Sequence, residues 1–403
     1  MDLNLSPEET AFRNEVRAFI AAELPAETRE KLVLGRELSK QDIVDWQRKL
    51  NARGWAVPNW PAEYGGANWG PMQEYIFLDE LQQAPAPQAL PFNVSMVGPV
   101  IATFGTEAQK QKFLPGTANL DIWWCQGFSE PGAGSDLAGL KTTAKRDGNF
   151  YILNGQKTWT TLAQYADWIF VLARTDPAAP KKQQGISFLL VDMKTPGITV
   201  RPIQLIDGGH EVNEVFFDDV KVPAENLVGQ ENRGWDYAKF LLTNERMGIA
   251  RVGVSKQRIR RIKELAKLER MGDASLLDQP WFREKLASVE IELKALEITQ
   301  LRVVAEARKR GAHGEPDPNS SILKIKGSEL QQATTELMMD VVGPFVAPFP
   351  GSLDDEDQTN EPPIGPDYAA AAAPTYFNWR KISIYGGSNE IQKNIIAKAI
   401  LGF

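Results

Sequence analysis

"WCQGFSEPGAGSDLAGLKTTA", residues 124–144, decides how the rest of the chain is read. Gly132-Ala133-Gly134-Ser135 gathers small residues beside hydroxyl and amide side chains. Small residues let a backbone approach a ligand closely and offer it N–H groups. Gly-Ala-Gly alone fits a tight turn between two strands better than a ligand loop, so its setting has to decide.

Downstream lie short β-branched and aromatic runs: "FYILNG", "DWIFVLART", "GISFLLVDM", "GITVRPIQL" and "EVFFDDVKV". Gly, Pro, Asn or Asp mark many of their boundaries, which is a strand-and-turn rhythm. The block begins near Asp121 and ends with "VPAENLVGQENRG" at 222–234.

Both flanks read as helical. Ser6-Pro7-Glu8-Glu9 is a capping-box start with proline at the first helical position. Phe12, Val16, Phe19 and Ile20 continue it as an apolar stripe. A second helix is expected over 39–53. "PNWPAEYGGANWGP" (58–71) is a turn-rich loop, and helices resume from Met72 and over Glu107–Phe113. Beyond Gly234 helices are expected over 235–268, 281–311 and 319–342, with "GEPDPNS" (314–320) as a linker. The Pro-rich, partly acidic stretch 344–374 reads as a flexible surface loop. "KISIYGGSNEIQKNIIAKAILGF" closes the chain as a turn into a helix starting near Ser388 or Asn389. The expectation is an α–β–α order: an N-terminal helical domain (1–121), a middle β domain (122–232) and a C-terminal helical domain (233–403).

Composition narrows the functions. Hydrophobic residues make up 43% and charged residues 24% of 403, ordinary for a globular protein. A net charge of −7 argues against a general nucleic-acid binder. Two histidines and one cysteine make a metal centre of His and Cys ligands an unexpected feature. A lone cysteine fits a reducing compartment, and the first residues lack a signal peptide's basic and apolar regions, so a cytoplasmic location is expected. No uncharged apolar run approaches about 20 residues, so no membrane span is expected.

One helix carries an anomaly. In "FLLTNERMGIARVG" (240–253), Leu241, Leu242, Gly248, Ile249 and Val252 recur at helical spacing, and Glu245 falls on the same stripe. None of its neighbours three or four positions away is a cation. A carboxylate desolvated in that way has a raised pKa, which suits a general base. The helix alone is better served by a cation reaching Glu245 from another helix.

"SEPGAGSD", followed about twenty residues later by "LNGQKTWTT" and at the C-terminus by "IYGGSNEIQKNIIAKAIL", resembles the acyl-CoA dehydrogenase family over essentially the whole chain. The resemblance implies an α+β architecture of an N-terminal helical domain, a middle β-barrel-like domain and a C-terminal four-helix-bundle domain. It implies FAD bound without a Rossmann motif, and an acyl-CoA thioester as substrate. Gln126, Phe128 and Ser129 match positions lining the flavin ring. Gly134 and Ser135 match positions touching flavin or the pantetheine arm of the substrate. Trp159 matches the tryptophan beside the isoalloxazine, and Thr161 the hydroxyl near flavin N5. Ser388 and Glu390 match polar positions that meet FAD phosphate and ribose, with helix capping as their simpler role.

The family reaction needs one carboxylate to take the α-proton while the β-hydride passes to flavin. In many members that glutamate precedes a "GTxxIQ"-like motif, where this chain has Gly386. A second subset, including isovaleryl-CoA and long-chain types, places it on an earlier helix directly before an arginine. Glu245-Arg246 matches that subset, which implies Glu245 as catalytic base and Arg246 as a contact to CoA phosphate or pantetheine.

Two departures remain. Of the family's Arg-x-x-Phe-Gly element only Arg270 corresponds, and its Gln-x-x-Gly-Gly-x-Gly segment reads "DVVGPFVAPFPG" at 340–351. These features resemble a bacterial branch handling bulky substrates such as steroid side-chain or dicarboxyl CoA esters. Homo-oligomers (dimers or tetramers) or α2β2 heterotetramers are implied, with electron-transfer flavoprotein as electron acceptor. An acyl-CoA oxidase, other flavin chemistry on the same fold, or one subunit of a heteromeric dehydrogenase are the rival expectations.

Overall fold

The computed structural model describes residues 4–244, 250–310, 318–348 and 364–403. The N-terminal part contains α1 (Pro7–Glu23), α2 (Ala26–Leu34), α3 (Lys40–Ala52), α4 (Pro71–Gln83), α5 (Gly98–Phe104) and α6 (Glu107–Ala118). The capping box at α1 forms as expected: Ser6 Oγ accepts from Glu9 N, and the Glu9 carboxylate accepts from Ser6 N. Ser39 with Asp42 and Thr106 with Gln109 start α3 and α6 in the same way. The helix α2 was not expected from sequence. The Gly/Pro-rich loop 58–71 is pinned by its tryptophans. Trp60 Nε1 donates to Val94 O at 2.7 Å, and Trp69 packs edge-on against Phe12 and tilted against Phe77.

Between α4 and α5, Phe92–Val97 form one stretch of π-helix, a geometry that recurs at functional sites. Its Asn93 is fully buried. Asn93 Nδ2 donates to Thr117 O and Ile122 O, and Asn93 Oδ1 accepts from Trp124 N. The helical part thereby fixes where the sheet begins.

The middle part is one curled, mixed sheet of β1 (Trp124–Gly127), β2 (Thr143–Asp147), β3 (Phe150–Thr161), β4 (Trp168–Arg174), β5 (Ile186–Asp192), β6 (Ile198–Ile203) and β7 (Val212–Pro223). The strands run in the order β1-β4-β2-β3-β7-β6, with β5 also paired to β4. β4 lies parallel to β1 and β2, and the other pairs are antiparallel. Strands β4 and β5 are apolar without alternation because both faces are covered. Phe170, Leu172, Phe188 and Leu190 face the N-terminal helices, while Ile169, Val171, Leu189 and Val191 fill the inside of the curl.

The C-terminal part contains α7 (Gly234–Asn244), α8 (Val252–Leu268), the short hairpin β8 (Arg270–Met271) and β9 (Ala274–Ser275), α9 (Pro280–Arg310), α10 (Ser320–Val342), α11 (Ala372–Asn378) and α12 (Asn389–Ala399). The helix expected over 235–268 is therefore two helices. Arg251, at the start of α8, adopts a left-handed conformation with φ 47°, which no continuous α-helix accommodates. Leu241 belongs to the core shared by the N-terminal helices and the sheet, whereas Ala250 and Val252 belong to the core of α8, α9 and α10. Of the stretch 344–374, residues 349–363 lie outside the described residues; after it, Ala369 and Ala372 are buried against Val342 of α10. Among the described residues no helix is long and apolar enough to cross a membrane.

Candidate active site

The segment 128–142 connects β1 to β2 and is far longer than the tight turn that its glycines alone suggest. Phe128 is buried, with its ring edge-on to Phe170 and Phe188. Ser129 O accepts from Thr158 N at 2.9 Å, which ties the loop to β3. Glu130 then folds the loop on itself. Its backbone pairs with Ala133, and its carboxylate accepts from Lys141 N (2.6 Å) and Thr142 N (2.9 Å).

Lys157 Nζ lies 2.8 Å from Glu130 Oε1 and also donates to Phe128 O at 3.0 Å. The Lys157 side chain is wholly buried. Burial alone would raise the Glu130 pKa, yet Lys157 and the two backbone donors hold it below the ordinary carboxylate value. The ion pair itself joins "SEPGAGSD" to "KTWTT". Neither residue was singled out from sequence. A signal did exist: Tyr151, Leu153 and Lys157 share the inward parity of β3, and a lysine at such a position needs a buried partner.

Beyond Lys157 the strand bulges. Lys157 faces Val215, but Thr160 faces Asn213, so β3 spends one residue more than β7. The extra residues carry Trp159 in a left-handed conformation, φ 59°, with its side chain 60% exposed between buried Thr158 and Thr160. Such a conformation costs about 1–3 kcal/mol for a residue with a side chain. Asn213, fully buried, secures the bulge: its Nδ2 donates to Thr160 O (3.1 Å) and Gln164 Oε1 (2.7 Å). Thr161 pairs with Val212 at the open end of β3. Gln126 and Ser129 are half-buried, and Gly134 and Ser135 are exposed.

Glu211 links this wall to the C-terminal segment. Its backbone O accepts from Leu162 N at 2.8 Å, and its carboxylate accepts from Asn378 Nδ2 (3.2 Å) and from Lys381 Nζ. Further on, Gly386 and Gly387 turn with φ 65° and 78°, a region that favours glycine. Ser388 caps α12 by accepting from Ile391 N at 3.4 Å. Glu390 is exposed in the first turn, where its own backbone N–H and the Ser388 hydroxyl lower its pKa. Asn389 Oδ1 accepts from Lys324 Nζ (2.9 Å) and Ser328 Oγ (3.2 Å), fastening the α12 terminus to α10.

Glu245 and Arg246 lie outside the described residues. Their flanks are fixed. Ala250 is fully buried against Gly327 of α10, where an added Cβ would come within 2.6 Å of the Ala250 Cα.

A helical part, a curled mixed sheet bearing an outward tryptophan on a bulge, and a second helical part together define the class. The sequence model for the N-terminal domain of acyl-CoA dehydrogenase matches residues 6–121, that for the middle domain 125–220, and that for the C-terminal domain 232–401. The chain belongs to the acyl-CoA dehydrogenase family. Acyl-CoA dehydrogenase IpdE1 of Mycobacterium tuberculosis is 36% identical over 396 residues, covering 97% of each protein. Among solved structures, the ChsE4-ChsE5 complex from Mycobacterium tuberculosis matches with a TM-score of 0.82 at 32% identity, covering 100% of this chain and 99% of that one. The Tcur3481-Tcur3483 steroid ACAD matches with a TM-score of 0.83 at 31% identity and the same coverage.

Proposed function

We propose that this protein binds FAD and oxidises the Cα–Cβ bond of a bulky acyl-CoA thioester to the trans-2-enoyl-CoA. One observation carries the reading. Trp159 is held outward, in a costly conformation, on a bulge that Asn213 and the Glu130–Lys157 pair keep in place. A folded chain has little reason to expose an aromatic face at that expense unless a flat ligand covers it.

The residues present fit FAD. Trp159 and Thr161 would flank the ring system from β3, with Gln126, Phe128, Ser129, Gly134 and Ser135 on the adjoining loop. The N-terminus of α12, with Ser388 and Glu390, offers N–H and hydroxyl groups for phosphate and ribose. Bound there, FAD supplies the two-electron acceptor for the β-hydride.

The chain's own residues do the rest. Glu245 takes the α-proton, because Gly386 offers no carboxylate at the other family position. Arg246 holds the CoA or pantetheine end. The electrons would then leave to a protein acceptor such as electron-transfer flavoprotein. A steroid-derived acyl group is the favoured substrate class, because similar solved structures include a protein titled steroid ACAD. The departures at Arg270 and at 340–351 favour an assembly in which a second, different subunit completes the cofactor contacts.

The test is purification followed by anaerobic titration with CoA thioesters. The reading expects the absorption of oxidised flavin, bleached by a bulky thioester, with dye acceptors reduced in preference to oxygen. A colourless protein that takes up no added FAD would overturn it.

A further inference from the structure

Two guanidinium groups converge on one indole ring in the C-terminal part. The Arg258 Cζ lies 3.7 Å from the Trp379 ring centroid, and the Arg251 Cζ lies 5.5 Å from it. The two arginines are seven residues apart, Arg258 within α8 and Arg251 immediately before it. Arg251 reaches the ring from the left-handed conformation that opens α8.

Among the described residues no carboxylate forms an ion pair with Arg251 or Arg258. The Nη1 of Arg258 is buried and has no acceptor. Burial, and then the Arg251 charge, push the Arg258 pKa down, while Tyr385 draws it partly back. Stacking on Trp379 stabilises the flat cations but satisfies none of their N–H donors. A buried donor without an acceptor, next to a like charge, is unfavourable in the folded chain. Elsewhere in the same bundle the charges are matched: Lys256 on α8 sits between Asp79 and Glu297.

The place is informative. Arg251 follows Glu245 by six residues, and half-exposed Tyr385 directly precedes Gly386. In sequence, the cluster lies close to both segments proposed for the reaction.

We propose that Arg251, Trp379 and Arg258 form an oxyanion subsite of the substrate cavity. The subsite takes a planar oxyanion by the guanidinium fork, with the indole as its floor. A carboxylate on the acyl group is its favoured source, and a phosphate of CoA or FAD presents the same chemistry. This inference rests on the thioester reading given above.

The experiment uses the full-length FAD-loaded protein and calorimetric binding of hexanoyl-CoA, adipoyl-CoA (equal in length, but ending in a carboxylate) and free CoA. Flavin content is measured on each preparation of the natural chain, Arg258→Gln and Arg258→Lys. Adipoyl-CoA is expected to bind the natural chain about tenfold more tightly than hexanoyl-CoA, the strength of a charge-assisted hydrogen bond. Arg258→Gln should erase that preference and leave free CoA affinity and flavin content unchanged. Arg258→Lys, which keeps the charge and loses the fork, should retain part of it and stands in if the glutamine variant does not fold. A loss of about tenfold in CoA affinity or a loss of flavin in the variants instead supports the subsite with a phosphate as its occupant. Unchanged affinities and flavin content in both variants overturn it. Failure of the dehydrogenase reading would look different: thioesters would bind but bleach no flavin.

Discussion

Glu130 Oε1 and Lys157 Nζ meet at 2.8 Å inside the wall that carries both motifs of the middle part. The pair is buried, and it fastens the glycine-rich loop to the strand that presents Trp159. Removing one partner strands the other in a medium that disfavours charge. Lys157→Met should cost about 3–5 kcal/mol in denaturant unfolding, and Lys157→Met with Glu130→Gln should recover part of that. An additive loss in the double variant would show that the two side chains act independently.

The same pair sets an acid limit. The folded pKa of Glu130 lies below its ordinary value, so the unfolded chain binds the proton more readily. The stabilisation is fully present above the unfolded value of 4.5 and is lost as the pH falls below it through the lowered folded value. Melting temperature measured against pH should decline on that limb, and Glu130→Gln should decline less steeply. Parallel curves for the two proteins would contradict the assignment.

Trp159 separates stability from function. Trp159→Gly removes the left-handed strain and should leave the FAD-free protein as stable as the natural chain, or up to about 1–2 kcal/mol more stable. It should also weaken flavin retention by about tenfold or more through loss of the aromatic wall. Equal loss of stability and flavin would make Trp159 a packing residue.

Gly327 packs directly against Ala250, a few residues after the glutamate proposed as base. Gly327→Ala sets a methyl 2.6 Å from Ala250 Cα and 2.7 Å from its carbonyl oxygen. Thermal unfolding should report a cost of about 1–3 kcal/mol, and the rate of flavin bleaching should fall while CoA affinity changes little. A variant with unchanged stability would mean that the two helices separate freely.

Local period made much of this fold legible. The capping box at Ser6, the helix start at Ser388-Asn389, the apolar runs of β4 and β5, and the long helices α9 and α10 all follow from neighbours within a few positions. The acyl-CoA dehydrogenase family was legible through the resemblance carried by three motifs, "SEPGAGSD", "LNGQKTWTT" and "IYGGSNEIQKNIIAKAIL". What escaped depends on distance or on backbone choice. Glu130 and Lys157 meet across 27 positions, which no local pattern reports. The bulge at Trp159 depends on Asn213, more than fifty residues away in β7. The break at Arg251 falls within a sequence of even helical spacing, because two separate cores draw Leu241 and Val252 apart.

Glu245 is the residue proposed to take the α-proton. Stopped-flow reduction of the bound flavin by an acyl-CoA that bleaches the natural protein, compared with Glu245→Gln, tests it most directly. The account predicts that the variant keeps FAD and binds the thioester while bleaching slows at least about 100-fold, the usual contribution of a positioned general base. Bleaching at nearly the natural rate would contradict it and would assign the proton to another group.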